Sequence, residues 1–166
     1  PAQIVFAGVG KTWQEIDYAI QQKIGWFNVE NVLELEHIQA IAQAQGVDAV
    51  QVALRLNPQV TANTHPYIST GHGGAKFGLT GDVIQDILAN QANYPNIKFA
   101  GVHLHIGSQL GDQEATIQAV EKAIALIEPY PQIRTINMGG GIPVAYHFDE
   151  VIPSIESFAQ SLAPLL

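Results

Sequence analysis

Residues 3–24, QIVFAGVGKTWQEIDYAIQQKI, hold one complete strand-to-helix transition, and their reading decides the fold. Gln3 to Gly8 is a short apolar run rich in β-formers. Thr12-Trp13-Gln14-Glu15 then spells a capping box, in which a hydroxyl and a carboxylate satisfy each other's backbone N–H groups. Ile16, Ala19, Ile20 and Ile24 follow at helical spacing. The same change of period recurs down the chain. Trp26 to Val29 predicts a second strand, with Asn31 and Glu34 as helix cap and third residue. Leu35, Ile38, Ile41 and Ala42 give that helix a buried stripe, and Gly46 ends it. Ala49 to Leu56 predicts a third strand. A short helix carrying Val83, Ile84, Ile87 and Leu88 leads to a strand over Phe99 to Ile106, and a helix carrying Ile117, Val120, Ile124 and Ile127 stops at Pro129. Thr135 to Met138 is the fifth strand. Val151/Ile152, Ile155, Phe158/Ala159 and Leu162 mark a final amphipathic helix.

Strands that each feed a helix must pair in parallel through right-handed crossovers, so the class is α/β. Periodicity admits two arrangements: a complete doubly wound sheet, or about five consecutive βα units of a TIM (β/α)8 barrel, whose full length is about 250 residues. In both, the loops after the strands carry the chemistry.

Composition narrows the function. Of 166 residues, 47% are hydrophobic and 13% charged, which fits one buried core and excludes disorder and coiled coil. Seven basic and fifteen acidic residues give a net charge of −8 with no basic run, which argues against a nucleic-acid partner. The absence of cysteine excludes disulfides, thiolate metal sites and cysteine nucleophiles within this segment. No apolar run approaches the roughly 18 residues of a membrane span, and Pro1-Ala2-Gln3 is no signal-peptide start. The expectation is a cytoplasmic protein without a membrane partner.

Several motifs fall at strand ends. Gly10-Lys11-Thr12 invites a phosphate-loop reading, but that motif needs glycine five residues earlier, where Val5 stands inside the strand. A turn and a capped helix is the preferred reading. Asn57 to Leu79 forms a connection of roughly 20 residues where about 4–6 is typical, and such length points to function. Arg55 is the lone charge of an apolar strand, and a buried arginine must be paired or functional. His103 and His105, two apart on a strand, share one face. They admit a metal site, a cofactor-facing imidazole, or core histidines satisfied by hydrogen bonds. Ile106-Gly107-Ser108 follows with a hydroxyl just past the strand end. Gly139-Gly140-Gly141 follows the fifth strand and reads either as a tight βα turn or as a cradle of backbone amides for a phosphate, which Ser108 would share.

Taken together, Leu54-Arg55-Leu56-Asn57-Pro58, Thr64-His65-Pro66-Tyr67-Ile68-Ser69-Thr70-Gly71, Lys76-Phe77-Gly78, His103-Leu104-His105-Ile106-Gly107-Ser108-Gln109 and Gly139-Gly140-Gly141 closely resemble the bacterial diaminopimelate decarboxylase family. That family belongs to the alanine-racemase-like barrel group (fold type III) of pyridoxal-phosphate enzymes. Ornithine and arginine decarboxylases share the KFG, HxGS and GGG elements and lack the THPYISTG spelling, which favours diaminopimelate.

The resemblance implies pyridoxal 5'-phosphate as cofactor and decarboxylation of meso-2,6-diaminopimelate to L-lysine. By the same resemblance His105 stacks on the cofactor ring and Arg55 lies beside it on the barrel floor. Ser108, Gly139, Gly140 and Gly141 hold the phosphate, with no metal. His65, Tyr67, Ser69, Thr70 and Gly71 belong to a loop closing over substrate, and Lys76 lies near a homodimer interface. It further implies that residues 1–166 are the central part of the barrel, strands three to seven. The Schiff-base lysine of the first strand, the eighth strand with its glutamate, and the C-terminal β-domain with its cysteine are not in this sequence. None of Lys11, Lys23, Lys76, Lys98 and Lys122 follows the family's lysine spelling. The expectation is an enzyme inactive as this segment alone. An ornithine- or arginine-type basic amino acid decarboxylase of the same family, a metal-dependent hydrolase barrel using His103 and His105, and a non-catalytic phosphate-binding half-barrel are the alternatives.

Overall fold

A computed structural model describes residues 1–60, 77–108 and 113–166. Five strands and five helices alternate: β1 (Val5–Phe6), α1 (Trp13–Gln21), β2 (Trp26–Val29), α2 (Val32–Gln45), β3 (Val50–Arg55), α3 (Gly81–Ala89), β4 (Ile97–His103), α4 (Glu114–Ile127), β5 (Thr135–Asn137) and α5 (Ile155–Leu162). The sheet order is β1-β2-β3-β4-β5. Every neighbouring pair is parallel. A doubly wound sheet reverses its strand order to cover both faces, whereas here each strand is laid beside its predecessor in one direction. Right-handed crossovers then put the helices on one face. This resolves the choice that periodicity left open, in favour of consecutive barrel units.

Local chemistry accounts for the helix starts. Thr12 and Glu15 form the expected reciprocal box, Thr12 N–H donating to Glu15 Oε2 at 2.8 Å and Glu15 N–H to Thr12 Oγ1 at 3.3 Å. Asn31 caps α2 by accepting from Glu34 N–H at 2.9 Å. The Glu34 side chain does not close a second box; it is drawn instead to Lys11. Gly46 ends α2 in the left-handed region at φ 66°. The last helix begins at Ile155, later than the apolar pattern from Val151 predicts. Pro153 disfavours a helical residue before it, and Ser154 caps the helix by accepting from Ser157 N–H at 3.1 Å. Val151 consequently stands in solvent.

The outward face of the sheet is the core. Phe27, Val29, Val52, Leu54, Val102 and Leu104 are no more than 2% exposed. They form one cluster with residues of α1 to α4. In α4 the buried residues are Ala115, Thr116, Ala119, Val120, Ala123 and Leu126, so of the stripe that spacing suggests only Val120 is fully buried. Ile117, Ile124 and Ile127 pack half-buried along its flank.

One irregularity decides what the other face carries. Val52 pairs with Phe99, but the next residue, Ala53, pairs with Gly101, so Ala100 is an extra residue in β4. A single inserted residue exchanges the two faces of a strand beyond it. Phe99 therefore points to the helices, whereas Gly101 and His103 fall in the rows of Ala53 and Arg55 on the concave side. Gly101 sits there without room for a side chain, since a Cβ would stand 2.6 Å from Thr135 O.

Gly101→Ala should therefore destabilise the fold by about 1–3 kcal/mol through overpacking at the β4–β5 seam. Gly140→Ala, with open space around it, should stay within about 0.5 kcal/mol. Urea unfolding of the two variants separates these outcomes, and equal midpoints would contradict the seam.

Candidate active site

The concave ends of the strands enclose an open cavity of ≈ 420 Å³. Register puts Arg55, His103 and Asn137 side by side on β3, β4 and β5. Glu30, just past β2, completes the row. Arg55 Nη1 donates to Glu30 Oε2 at 2.7 Å, and both side chains are less than 8% exposed. Such a pair is costly to desolvate, so its worth lies in fixed geometry more than in net stability. On its other side the guanidinium lies 5.6 Å from the centroid of Phe77. The chain returning from the long connection is docked here: Leu79 N–H donates to Arg55 O at 2.7 Å and Asn57 N–H to Leu79 O at 2.8 Å. Gly78, at φ 83°, permits the approach, since a Cβ would meet Arg55 O at 3.0 Å.

His103 is buried and His105 half-buried, both lining the cavity. Burial, reinforced by the cationic Arg55, pushes His103 down to about 3 and lowers His105 in the same way, with Glu30 opposing for His105. Both rings are neutral at pH 7. His103 Nδ1 is buried without a hydrogen-bond partner among the described residues.

Gly139 and Gly140 line the same cavity. At Gly139, φ is 72° and a Cβ would collide with Leu104 O and press on His105 Nδ1 at 3.1 Å. Only glycine lets this backbone lie against the imidazole. The Gly139 N–H is already donated to Asn137 Oδ1 at 2.9 Å, so its role is conformational and it does not offer a free amide as the sequence suggested. The three glycines also do not form a tight βα turn, because the next helix starts only at Ile155. Residues beyond them are largely exposed.

The structure thus brings together Arg55, His105, Gly139 and Gly140 of the sequence-predicted residues. Ser108 is exposed at the end of the described part of its loop, and neither it nor Gly141 lines the cavity. His65, Tyr67, Ser69, Thr70, Gly71, Lys76 and Gln109 lie outside the described residues. Sequence reading missed Glu30, Phe77 and Asn137. Glu30 had a usable signal: it is the acid directly after a strand neighbouring the one that buries Arg55.

These residues fit a phosphorylated aromatic cofactor. A neutral imidazole presents a flat face, a side-chain-free backbone lies against it, and a paired guanidinium forms the floor. A metal is poorly served, because the nearest carboxylate is committed to Arg55 and a cation stands beside both imidazoles. No cluster of three or more metal-ligating side chains occurs among the described residues.

Comparison with known proteins agrees with this geometry. The chain is 41% identical to the diaminopimelate decarboxylase of Vibrio cholerae over 98% of its length, covering 39% of that protein. It is 36% identical to that of Neisseria meningitidis, covering 99% of the chain and 41% of the relative. Among solved structures, diaminopimelate decarboxylase from Helicobacter pylori complexed with L-lysine superposes with a TM-score of 0.90 at 37% identity, covering 99% of the chain and 42% of that structure. The chain therefore spans about two-fifths of the length of the relatives it matches. The family model described as "Pyridoxal-dependent decarboxylase, pyridoxal binding domain" matches residues 1–166, and the chain belongs to that family.

Proposed function

We propose that this chain is the central part of the barrel of an enzyme that decarboxylates meso-2,6-diaminopimelate to L-lysine. The observation that carries the reading is the convergence of His105, the Gly139–Gly140 backbone and the Arg55–Glu30 pair at adjacent strand ends. The relatives support the substrate, as does the THPYISTG spelling over residues 64–71.

Pyridoxal 5'-phosphate, when bound, supplies an electron sink for the charge left when the carboxylate departs. The chain's own residues position it. His105 offers one face of its ring for stacking, and Gly139 gives up a side chain so that the backbone can close on that ring. Gly140 at the cavity edge, with Gly141 and Ser108 just outside its lining, would hold the phosphate through backbone N–H groups and a hydroxyl. Arg55, fixed by Glu30 and covered by Phe77, closes the floor. The buried layer behind it, from Leu54 to Leu104, excludes water from below. Residues 65–71 belong to the loop that meets substrate, Lys76 lies near a homodimer interface, and the protein is cytoplasmic. No helix of the described residues is long and apolar enough to cross a membrane.

The intact gene product carrying this chain should release carbon dioxide from meso-diaminopimelate and form L-lysine. Turnover confined to ornithine or arginine would overturn the substrate. The 166-residue chain alone should show no turnover, because among the described residues no lysine lines the cavity. Turnover by the isolated chain would place the Schiff-base lysine within it.

The neutral imidazoles have a consequence for stability. Because the folded pKa of His103, about 3, lies below that of the unfolded chain, the unfolded state binds the extra proton first as pH falls. Its contribution is intact above about pH 6.5 and is lost progressively toward pH 3, at up to about 1.4 kcal/mol per pH unit. His103→Gln should flatten the pH dependence of unfolding free energy in that window; an unchanged slope would show that the ring titrates normally.

A further inference from the structure

Lys11 belongs to the Gly10-Lys11-Thr12 spelling that fails as a phosphate loop, and nothing in the proposed chemistry uses it. Its surroundings are unusual for a lysine on a loop. The side chain is 1% exposed. Its ammonium donates to Gly8 O at 2.8 Å, Asn28 O at 2.7 Å and Glu34 Oε1 at 2.7 Å, so all three protons are directed. The same ammonium lies 5.6 Å from the centroid of Phe6.

Two of those acceptors are backbone carbonyls of residues that line the cavity, Gly8 from the loop after β1 and Asn28 from β2. The β1–β2 ladder is short, pairing only Val5 with Trp26 and Phe6 with Phe27. Beyond Phe6, where no further β1–β2 pair forms, Lys11 bridges the two chains through Gly8 and Asn28 of the cavity lining. Gly8, whose carbonyl takes one of these bonds, has φ 138°. Two residues past Asn28, Glu30 grips Arg55. The third acceptor, Glu34, lies in the first turn of α2 and is steadied by the Glu30 backbone as well.

We propose that Lys11 is a positioning residue, a buried cationic bridge that fixes the β1 loop and the end of β2 so that Glu30 can hold Arg55 in register with the cofactor site. The inference rests on the reading of the concave face as a pyridoxal phosphate site. It assigns the GKT lysine to a wall of that site, not to a ligand contact. Glu34 balances the buried charge, while the bonds to Gly8 O and Asn28 O set the geometry.

The test uses the intact gene product with three variants: K11M, E34Q and K11M/E34Q. Amide hydrogen exchange of the apo protein at residues 7–12 and 28–31 reads the wall, melting temperature reads the fold, and absorbance titration with pyridoxal phosphate reads the site. K11M should raise exchange in both segments and weaken cofactor affinity by about tenfold or more. E34Q, which keeps both carbonyl contacts, should leave exchange and affinity close to wild type. K11M/E34Q should recover melting temperature relative to K11M without recovering exchange or affinity. The proposal is overturned if the double variant restores exchange and affinity together with melting temperature, if E34Q loses as much as K11M, or if K11M matches wild type in both readouts. A wild-type protein that takes no pyridoxal phosphate would sink the reading of the site, while the exchange measurement on the apo protein would still decide the role of Lys11.

Discussion

The extra residue in β4 is the constraint on which the site depends. In a parallel strand the two faces alternate strictly, so without Ala100 the imidazole of His103 would fall in the row of Val52 and Leu54 and meet the helices. With it, the helix-facing row continues through Val102 and Leu104, both at most 2% exposed, while His103 enters the row of Arg55. The apolar core and the polar cavity are thus produced by one chain that changes register once. Gly101, beside the inserted residue, lets β5 close against the irregular stretch, and Asn137 is thereby brought opposite His103.

Most of the fold was legible in residues 3–24 and their repeats, because strand and helix periods differ and caps are spelled by short-range chemistry. Thr12 and Glu15 need only each other. What could not be read depends on partners distant in sequence. The pattern of α4 pointed to Ile117, Val120, Ile124 and Ile127, yet only Val120 of these is fully buried, because which side of a helix faces the core is set by the surface it packs on and not by the helix alone. The start of α5 was misplaced because Val151 and Ile152 are apolar, and Pro153 with Ser154 overrides that pattern locally. That His103 and His105 share a face was readable from their spacing, but which face was not, because the insertion is defined only against β3.

The site shows the same division. Arg55 announced that a buried cation needs an acid, and Glu30 supplies it across the β2–β3 seam at 2.7 Å. The triple glycine announced a close approach, and the structure identifies one thing approached: at Gly139 it is the His105 ring and the Leu104 carbonyl. The sequence left open a tight turn or a cradle of free amides. The bond from Gly139 N–H to Asn137 Oδ1 shows that the amide of the first glycine is taken within the chain.

Charge explains why two imidazoles can stand beside a guanidinium. Were Arg55 unpaired, its field would add fully to the penalty of burial; Glu30, in contact with it, offsets part of that field at His105. Burial is the larger cause for both rings, so neutrality does not rest on the pair alone. A protonated ring here would have to shed its water and face a cation at once. The neutral ring loses little by being covered. The buried Arg55–Glu30 pair is in turn a fixed, nearly neutral floor, beside which the backbone at Gly139 and the His105 ring are packed together without adding charge.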